Sequence, residues 1–333
     1  MFHHRGRLRR WTPFLMALAL TVACAADSGN RVPSHTVQRV VPDTGGDAPV
    51  RLGRLTFRGG IDIRGGGIGG LSGVAVFDEG RRFAAISDHG HVVRGDLSYD
   101  AGGGLAGASE LTIQPLAGTG AKGLKRATDS EDLLRLPSGD WLVSFEGTPR
   151  VWRYPAAMGQ RDALPVSLPV PADTATTPLN GGLEAMALFA DGRMLLLEEG
   201  NDTGNPVRRG WLAPGLPTAA DDWRRLTYHA RPGYRPTAAA ALPDGGLLVL
   251  ERHISLLAGW GARLVRVPAA AVRPGGVLEG EEVAALGPPL PLDNYEGLSV
   301  RVGADGRLNV YLVSDDNFSP LQRTLLLMFT LDG

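Results

Sequence analysis

Cysteine is almost absent from this sequence of 333 residues, since Cys24 is the only one. A single cysteine excludes an internal disulfide and a cysteine-rich metal site. Aromatic residues make up only 6% of the chain, and no stretch reaches the roughly 20 uncharged apolar residues that a membrane-spanning helix needs. Beyond the N-terminus no segment keeps an apolar stripe of helical period for three turns, so we expect almost no helix.

Turn-forming residues, in contrast, are abundant. The chain contains 46 glycines and 24 prolines, a bias typical of many short strands joined by tight turns. The length does not require two domains, because all-β barrels and propellers often use such a length as one domain. The composition therefore favours a single all-β domain.

The N-terminus has the pattern of an export signal, which we place over residues 1–25. Four arginines precede an apolar run from Trp11 to Ala23, and small residues follow it. The segment Thr21–Cys24 resembles a bacterial lipobox, which leaves two outcomes open: lipidation of Cys24, or ordinary cleavage after Ala25 or Ala26. We expect an exported protein, either periplasmic or anchored as a lipoprotein of the cell envelope, that meets a membrane only through that anchor.

Residues 26–50 are rich in Pro, Gly, Asp, Ser and Thr without apolar periodicity, which predicts a flexible linker before a domain over 51–333. The formal net charge of the whole chain is −1, and removal of the signal arginines leaves acidic residues in excess. This balance argues against nucleic acid as a partner. We expect a monomer that acts on a small molecule.

A hairpin recurs five times along the chain. Each copy has an apolar strand, a turn with glycine and a second apolar strand, and the turn glycines follow one another at intervals of 53 to 61 residues. These glycines are Gly80, Gly139, Gly192, Gly245 and Gly306. Such a period is typical of propeller blades. We predict five four-stranded blades, or six if a loop region hides a degenerate one, closed by pairing of Arg51–Ile63 with the C-terminal strand Arg323–Leu331.

Oxygen-bearing side chains recur at two places in each hairpin. At the start of the first strand they are Ser72, Glu131, Glu184, Thr237 and Glu296. At the end of the second strand they are Asp88, Glu146, Glu198 with Glu199, Glu251, and Asp315 with Asp316 and Asn317. Both places lie at the same edge of an antiparallel hairpin, so the blades should gather these groups at one mouth of a central channel.

So many clustered carboxylates cannot all ionise unless something compensates their charge. Calcium is one candidate, because it takes six to eight oxygen ligands. The basic groups of His89, His91, Arg252 and His253 at the same strand ends are another. Single acids could instead cap turns.

The same residues lie in segments that resemble successive motifs of the phytase-like family with esterase-like activity. The segments are Gly70–Val74, Ile86–Gly90, Asp129–Glu131, Asn180–Glu184, Leu250–Arg252, Asn294–Leu298 and Val313–Phe318. The sequence departs from the family pattern at Asp132 and Ala185, where glycine usually follows the acid, and at Thr237, which replaces an acid.

The resemblance implies an ester hydrolase, acting on phosphate or carboxylic esters, in which a metal performs the electrostatic work. The expected metal ligands are Asp88, Glu131, Glu184, Glu198, Glu251, Glu296, Asp315 and Asp316. His89 or Glu146 is the expected general base, and Arg252 and Asn317 are expected to bind substrate. The alternative is a non-catalytic envelope propeller that binds a ligand or protein partner and holds calcium for structural reasons.

Overall fold

The computed structural model describes Met1 and residues 34–44, 49–119, 125–178, 180–201, 204–255 and 259–332. The predicted signal peptide, with Cys24, lies outside the described residues apart from Met1. The strands are β1 (His35–Arg39), β2 (Arg51–Leu52), β3 (Leu55–Gly65), β4 (Leu71–Phe77), β5 (Arg82–Ser87), β6 (His91–Tyr99), β7 (Leu105–Pro115), β8 (Ser130–Arg135), β9 (Trp141–Phe145), β10 (Arg150–Tyr154), β11 (Val166–Leu168), β12 (Leu183–Leu188), β13 (Met194–Glu198), β14 (Val207–Ala213), β15 (Arg224–His229), β16 (Arg235–Ala241), β17 (Leu247–Ser255), β18 (Gly259–Val267), β19 (Val277–Leu278), β20 (Glu281–Leu286), β21 (Asn294–Val302), β22 (Leu308–Asp315) and β23 (Thr324–Leu331).

Helix is scarce in the described part of the chain, as the sequence predicts. The helical segments are α1 (Lys125–Thr128) and the 3₁₀ turns Asp78–Gly80, Ala172–Thr176, Ala220–Asp222 and Ala269–Ala271. No helix among the described residues is long and apolar enough to cross a membrane.

Antiparallel pairing groups the strands in chain order. The groups are β4 to β7, β8 to β11, β12 to β15 with β19 added in parallel, β16 to β18 with β20, and β21 to β23 with β3. Strand β3 pairs with β23 over Leu55–Ile63 and touches β7 in parallel at Gly59, so the first and last groups form one continuous sheet. The strand at the N-terminal side of the fold thus lies beside the last strand of the chain.

The first strand of each group, β4, β8, β12, β16 or β21, is called here an inner strand. Each inner strand contacts the next one along the chain, and β21 contacts β4. Five separate hydrophobic clusters fill the gaps between neighbouring sheets; Ile86 and Val143, for example, share the cluster between the first and second. Sheets arranged radially around a ring of inner strands make a β-propeller.

The five predicted turns join the inner strands to the second strands. All five turn glycines have a positive φ, between 78° and 91°. In the last four turns the glycine N–H donates to the carbonyl three residues earlier; Gly192 bonds Phe189 in this way. The first turn differs, because Asp78 and Glu79 also adopt positive φ within a 3₁₀ turn. The glycines therefore mark the same backbone position in each repeat.

One expectation about the N-terminal region is wrong. The linker predicted over 26–50 contains strand β1, which pairs antiparallel with β3 from His35 opposite Gly65 to Arg39 opposite Ile61. The exposed edge of β3 offers backbone N–H and C=O groups, and a short polar segment can satisfy them without burying apolar side chains. Composition alone did not reveal this pairing.

Candidate functional site

Every inner strand carries a β-bulge near its first residue. In β4, β12, β16 and β21 the ladder to the second strand skips one residue, and in β8 it skips two. The skipped residues include all five predicted positions: Ser72, Glu131, Glu184, Thr237 and Glu296. A bulged residue leaves the ladder and its side chain is re-aimed. The bulges thus bring Glu131, Glu184 and Glu296 towards the ring of inner strands, where all three are buried.

Two groups of carboxylates meet at this mouth of the channel, called here the acidic mouth. Asp129, Glu131 and Glu146 form one, and Glu146, Glu184 and Glu199 form the other. In each group one oxygen from every residue lies within 4.8 Å of the others. Glu146 belongs to both groups, and its Oε1 accepts hydrogen bonds from the backbone N–H groups of Gly181 and Gly182.

The acidic mouth disfavours ionisation of its own carboxyls. Burial raises the pKa of Glu131 well above its ordinary value, and the charges of Glu146 and Asp129 raise it further. Burial likewise raises the pKa of Glu184 well above its ordinary value, with Glu131 the strongest neighbouring charge. Without a compensating cation, full ionisation of the cluster is unfavourable.

The same effect extends across the channel to the last sheet. Burial raises the pKa of Asp315 to about 8, assisted by the charge of Glu296, although the N–H of Asn317 lowers it. Burial also raises the pKa of Glu296, while Arg252 lowers it. The carboxyls of the second, third and last sheets therefore form one interacting set.

Arg252 supplies positive charge inside this set. Its Nη2 donates to Glu199 at 2.7 Å, and its Nη1 donates to Asn294 at 2.8 Å and to Glu296. Burial alone would lower the pKa of Arg252, but the charges of Glu296 and Glu199 raise it above its ordinary value. Arg252 thus compensates Glu296 and one member of the second carboxylate group, Glu199.

Two predicted metal ligands lie outside the acidic mouth, so the expectation that they join it is wrong. Glu198 bonds Arg209 on the adjacent strand at 2.6 Å, and Glu251 bonds Arg263 at 2.6 Å and accepts from the Tyr228 hydroxyl at 2.6 Å. Glu251 stands opposite Arg263 in the strand register. Both glutamates therefore form cross-strand pairs on the sheet face.

The residues that follow these two glutamates occupy the acidic mouth instead. Side chains alternate between faces along a strand, so Glu199 and Arg252 point away from the cross-strand pairs of Glu198 and Glu251. The alternation of side chains between the two faces of a strand is the sequence signal that could have identified Glu199 and Arg252. Asp129 and Asn294 were also missed as site residues; each stands within two positions of a bulge.

The remaining predicted residues lie at the rim. His89 is about half exposed, stacks on Phe318 with ring centroids 4.5 Å apart, and has its Nε2 3.9 Å from a carboxylate oxygen of Asp88. Asp316 accepts backbone N–H bonds from Gly70 and Phe318, each at 3.0 Å. Asp316 therefore caps a loop, which is the alternative role that the sequence left open for single acids.

Asn317 does not reach the cluster with its side chain, which donates to Gln322 at 3.3 Å. Its backbone N–H instead donates to Asp315 at 2.6 Å. The side chain of Asn317 therefore does not lie beside the carboxylate groups, where the sequence predicted that it would bind substrate.

The donor set suits a hard divalent cation. Each of the two groups consists only of carboxylates, the ligands that calcium and magnesium prefer, and every member is buried. Two further oxygens of the bulge positions, the hydroxyls of Ser72 and Thr237, are buried without a hydrogen-bond partner among the described residues. Buried polar oxygens normally find a partner, so this arrangement is incomplete as a purely protein structure.

A sequence profile of the phytase-like family, described as esterase-like activity of phytase, matches residues 66–318. The chain belongs to this family. The matched segment is about three quarters of the sequence and contains every inner strand and both carboxylate groups. No curated protein matches the chain.

Solved structures that resemble the chain share little sequence with it. The catalytic domain of a GH62 α-L-arabinofuranosidase from Coprinopsis cinerea has a TM-score of 0.47 at 14% identity, with 88% of this chain and 96% of that chain covered. A PQQ-bound aldose sugar dehydrogenase from Streptomyces coelicolor has a TM-score of 0.40 at 14% identity, with 89% and 98% covered. Neither similarity bears on the activity.

One departure from the family pattern, Asp132, has a structural explanation. The usual glycine after the acid lies where inner strands approach closely: a Cβ at Gly297 would sit 2.9 Å from the Ser72 carbonyl oxygen. Asp132 occupies the equivalent position in the second sheet, and its carboxylate accepts N–H bonds from Leu133 and from Met186 of the next inner strand, both at 2.7 Å. The bulge forms there without glycine because the side chain itself bridges two sheets.

Proposed function

We propose that the protein is an exported hydrolase that cleaves phosphate or carboxylic esters at the acidic mouth with the help of a bound divalent cation, calcium being the first candidate. The observation that carries this proposal is the pair of buried carboxylate groups sharing Glu146. Membership of the phytase-like family supports the reaction class. An isolated set of buried carboxylates would be unfavourable unless a positive charge joined it.

The residues that would hold a cation are Asp129, Glu131, Glu146, Glu184 and Glu199, which supply hard oxygen ligands from the second and third sheets. A cation held there would neutralise these carboxylates, attract an anionic ester and polarise it. Glu146 is oriented for this task by the N–H groups of Gly181 and Gly182, which hold one of its oxygens in place.

Other side chains of this chain would bind substrate and move protons. Arg252 keeps Glu199 and Glu296 fixed, and Arg235 places a second guanidinium 3.4 Å from the other carboxylate oxygen of Glu199. His89, half exposed at the rim beside Asp88, is the proposed general base. Asp315 has a pKa of about 8, suited to giving or taking a proton near neutral pH.

We also propose that the domain is a five-bladed propeller whose last blade is completed by β3. The contacts around the inner strands, the five intersheet clusters and the pairing of β3 with β23 support this count and this closure. The export signal and the choice between lipidation and cleavage at Cys24 rest on the sequence alone. Replacement of Cys24 by Ser, followed by membrane fractionation, tests the anchor.

A second function is favoured by Arg252. Because this residue already compensates Glu199 and Glu296 inside the mouth, part of the cluster is stable as a structural network. This network is sufficient for a non-catalytic envelope propeller. Such a protein would bind a ligand or protein partner and hold a structural cation.

The deciding experiment assays the full chain against a panel of phosphate and carboxylic esters, with calcium added and then chelated. We expect turnover that disappears on chelation and is lost in Glu184→Gln with the fold intact by circular dichroism. If no ester is cleaved and calcium only raises the melting temperature, the hydrolase proposal is wrong and the binding propeller replaces it.

A further inference from the structure

A cavity of about 1110 Å³ lies at the end of the channel away from the acidic mouth. It is called here the turn-end cavity, because the five hairpin turns surround it. The last residues of all five inner strands line it, among them Val76, Leu134, Leu188, Ala241 and Val300. It shares no lining residue with the carboxylate groups.

The turn-end cavity leaves apolar surface open to water. Val302 is 50% exposed and Leu216 is 37% exposed at its edge, and Leu188 and Ala241 are only partly buried. Concave, mainly apolar surfaces of several hundred cubic ångströms are typical of small-molecule sites. Burial of this surface by an apolar ligand would remove it from water and would therefore be favourable.

Charge at the cavity is mainly positive. Its charged lining residues are Arg135, Arg153, Arg301 and Asp191. Arg153 is paired with Asp140 at 2.6 Å, and Asp191 with Arg193 at 2.7 Å.

The other two arginines have less compensation. Arg135 lies 3.6 Å from Asp78, which Arg82 also approaches at 3.6 Å. Arg301 forms no ion pair within the described part of the chain. Its guanidinium is held at the junction of the last and first sheets, where a Cβ at Gly80 would lie 3.0 Å from Nη1. The rim of the cavity therefore offers an uncompensated cation beside an apolar concavity.

We propose that the turn-end cavity binds an anionic amphiphile, such as a medium- or long-chain carboxylate, with the chain in the cavity and the head group at Arg301. The apolar walls select the chain, and the guanidinium selects an anionic oxygen through a charge-assisted hydrogen bond. A single amphiphile fits better than a lipid surface because the apolar residues line a concavity and do not project from the protein.

The test titrates the full chain with decanoate, decanol and decyltrimethylammonium below their micelle-forming concentrations, by isothermal calorimetry. A chelator is present throughout, so that no carboxylate binds through a cation at the acidic mouth. We expect decanoate to bind at least tenfold more tightly than decyltrimethylammonium. Equal affinity for the three ligands, or no binding of decanoate, would overturn the proposal.

Variants separate the cavity from other surfaces. Arg301→Gln should weaken decanoate binding about tenfold and leave decanol binding unchanged. Val302→Asp, at a half-exposed position, should weaken decanoate and not decyltrimethylammonium. Arg307→Gln is the matched control, because Arg307 is exposed on the adjoining turn, approaches only Asp305 at 3.9 Å and does not line the cavity. Unchanged decanoate binding in both cavity variants, or binding only to anionic vesicles, would also contradict the proposal.

Discussion

The two ends of the channel are built from opposite ends of the same five strands, yet they differ in every physical respect. At the acidic mouth the inner strands begin with bulges and bring buried carboxylates together. At the turn-end cavity the same strands run in regular register to mainly apolar last residues, with Arg135 of β8 as the charged one. Burial of clustered carboxylates is unfavourable for folding, whereas apolar residues at a strand end are stabilised as soon as they are shielded from water.

The acidic mouth is where this protein departs from a structure optimised for stability. Clustered acids with raised pKa values are what a functional site requires and what a stable core avoids. The fourth sheet is the exception within the acidic mouth, because it contributes Thr237 at the bulge and Arg252 from within its second strand. The two ends should therefore respond differently to the loss of a charge, to pH and to backbone changes.

Loss of Arg252 should have the largest effect. Arg252→Leu leaves the buried carboxylate of Glu296 without its guanidinium and Glu199 with the longer 3.4 Å contact to Arg235. Removal of one partner of a buried pair typically costs about 3–5 kcal/mol. Urea denaturation at pH 8 in the presence of a chelator would measure the loss.

The control for that variant is Arg266→Leu, which breaks a partly exposed pair with Asp244 on the same sheet near the turns. Exposed pairs contribute about 0–1 kcal/mol, so this variant should stay near wild type. Equal losses of unfolding free energy in the two variants would mean that the ion pairs of Arg252 contribute no more than an exposed pair does.

The free energy of unfolding should depend on pH in the direction set by the acidic mouth. Glu131, Glu184, Glu296 and Asp315 have raised pKa values, so the folded protein holds protons that the unfolded chain releases. Without a cation, stability should be greatest at low pH and fall between about pH 4.5 and 8, by up to about 1.4 kcal/mol per pH unit for each proton held.

Urea titrations at pH 5, 6, 7 and 8 would measure this slope, first with chelator and then with calcium. A cation that replaces the protons should stabilise the protein more at pH 8 than at pH 5. A stability that rises over this range with chelator would show that ionised carboxylates are already compensated within the protein.

Two glutamates of the third sheet should respond in opposite ways. Glu184→Gln replaces a buried carboxyl, whose ionisation burial and its neighbours oppose, by a neutral amide. The cation-free protein should therefore gain about 1–2 kcal/mol, while calcium loses its stabilising effect. Glu198→Gln breaks the pair with Arg209 outside the mouth and should lose about 1–3 kcal/mol, with the calcium effect intact. Melting temperatures with chelator and with calcium would separate them. The same sign in both variants would contradict the assignment of these residues to different environments.

The pair Glu198 and Glu199 also shows how much of the site can be predicted from the sequence. The recurring turns predicted the hairpins, and strand starts predicted Glu131, Glu184 and Glu296, because a repeat fixes equivalent positions whatever the details of pairing. Whether Glu198 or Glu199 points into the channel depends on which face of the sheet each residue occupies, and the bulge opposite Glu198 shifts that alternation. A one-residue shift exchanges the two faces, and the bulge is a tertiary feature.

Strand β1 illustrates the second limit. Its sequence, HTVQR, carries no apolar alternation that would mark a half-buried strand. It pairs because β3 presents an open edge beside it, and that edge exists only after the ring of sheets has assembled. Short edge strands of this kind are set by their partner and not by their own composition.

The smallest predicted effect concerns the turn end. Gly192 has a φ of 90°, and a Cβ added there would meet no atom within 4 Å. Gly192→Ala therefore meets no steric clash, and its cost is confined to the left-handed backbone, about 1 kcal/mol. Gly287 has equal space without a positive φ, so Gly287→Ala should be close to neutral. If both variants unfold at the wild-type urea midpoint, the turn end tolerates backbone change by adjusting its turns, and the rigidity of the propeller lies in the inner strands and the acidic mouth.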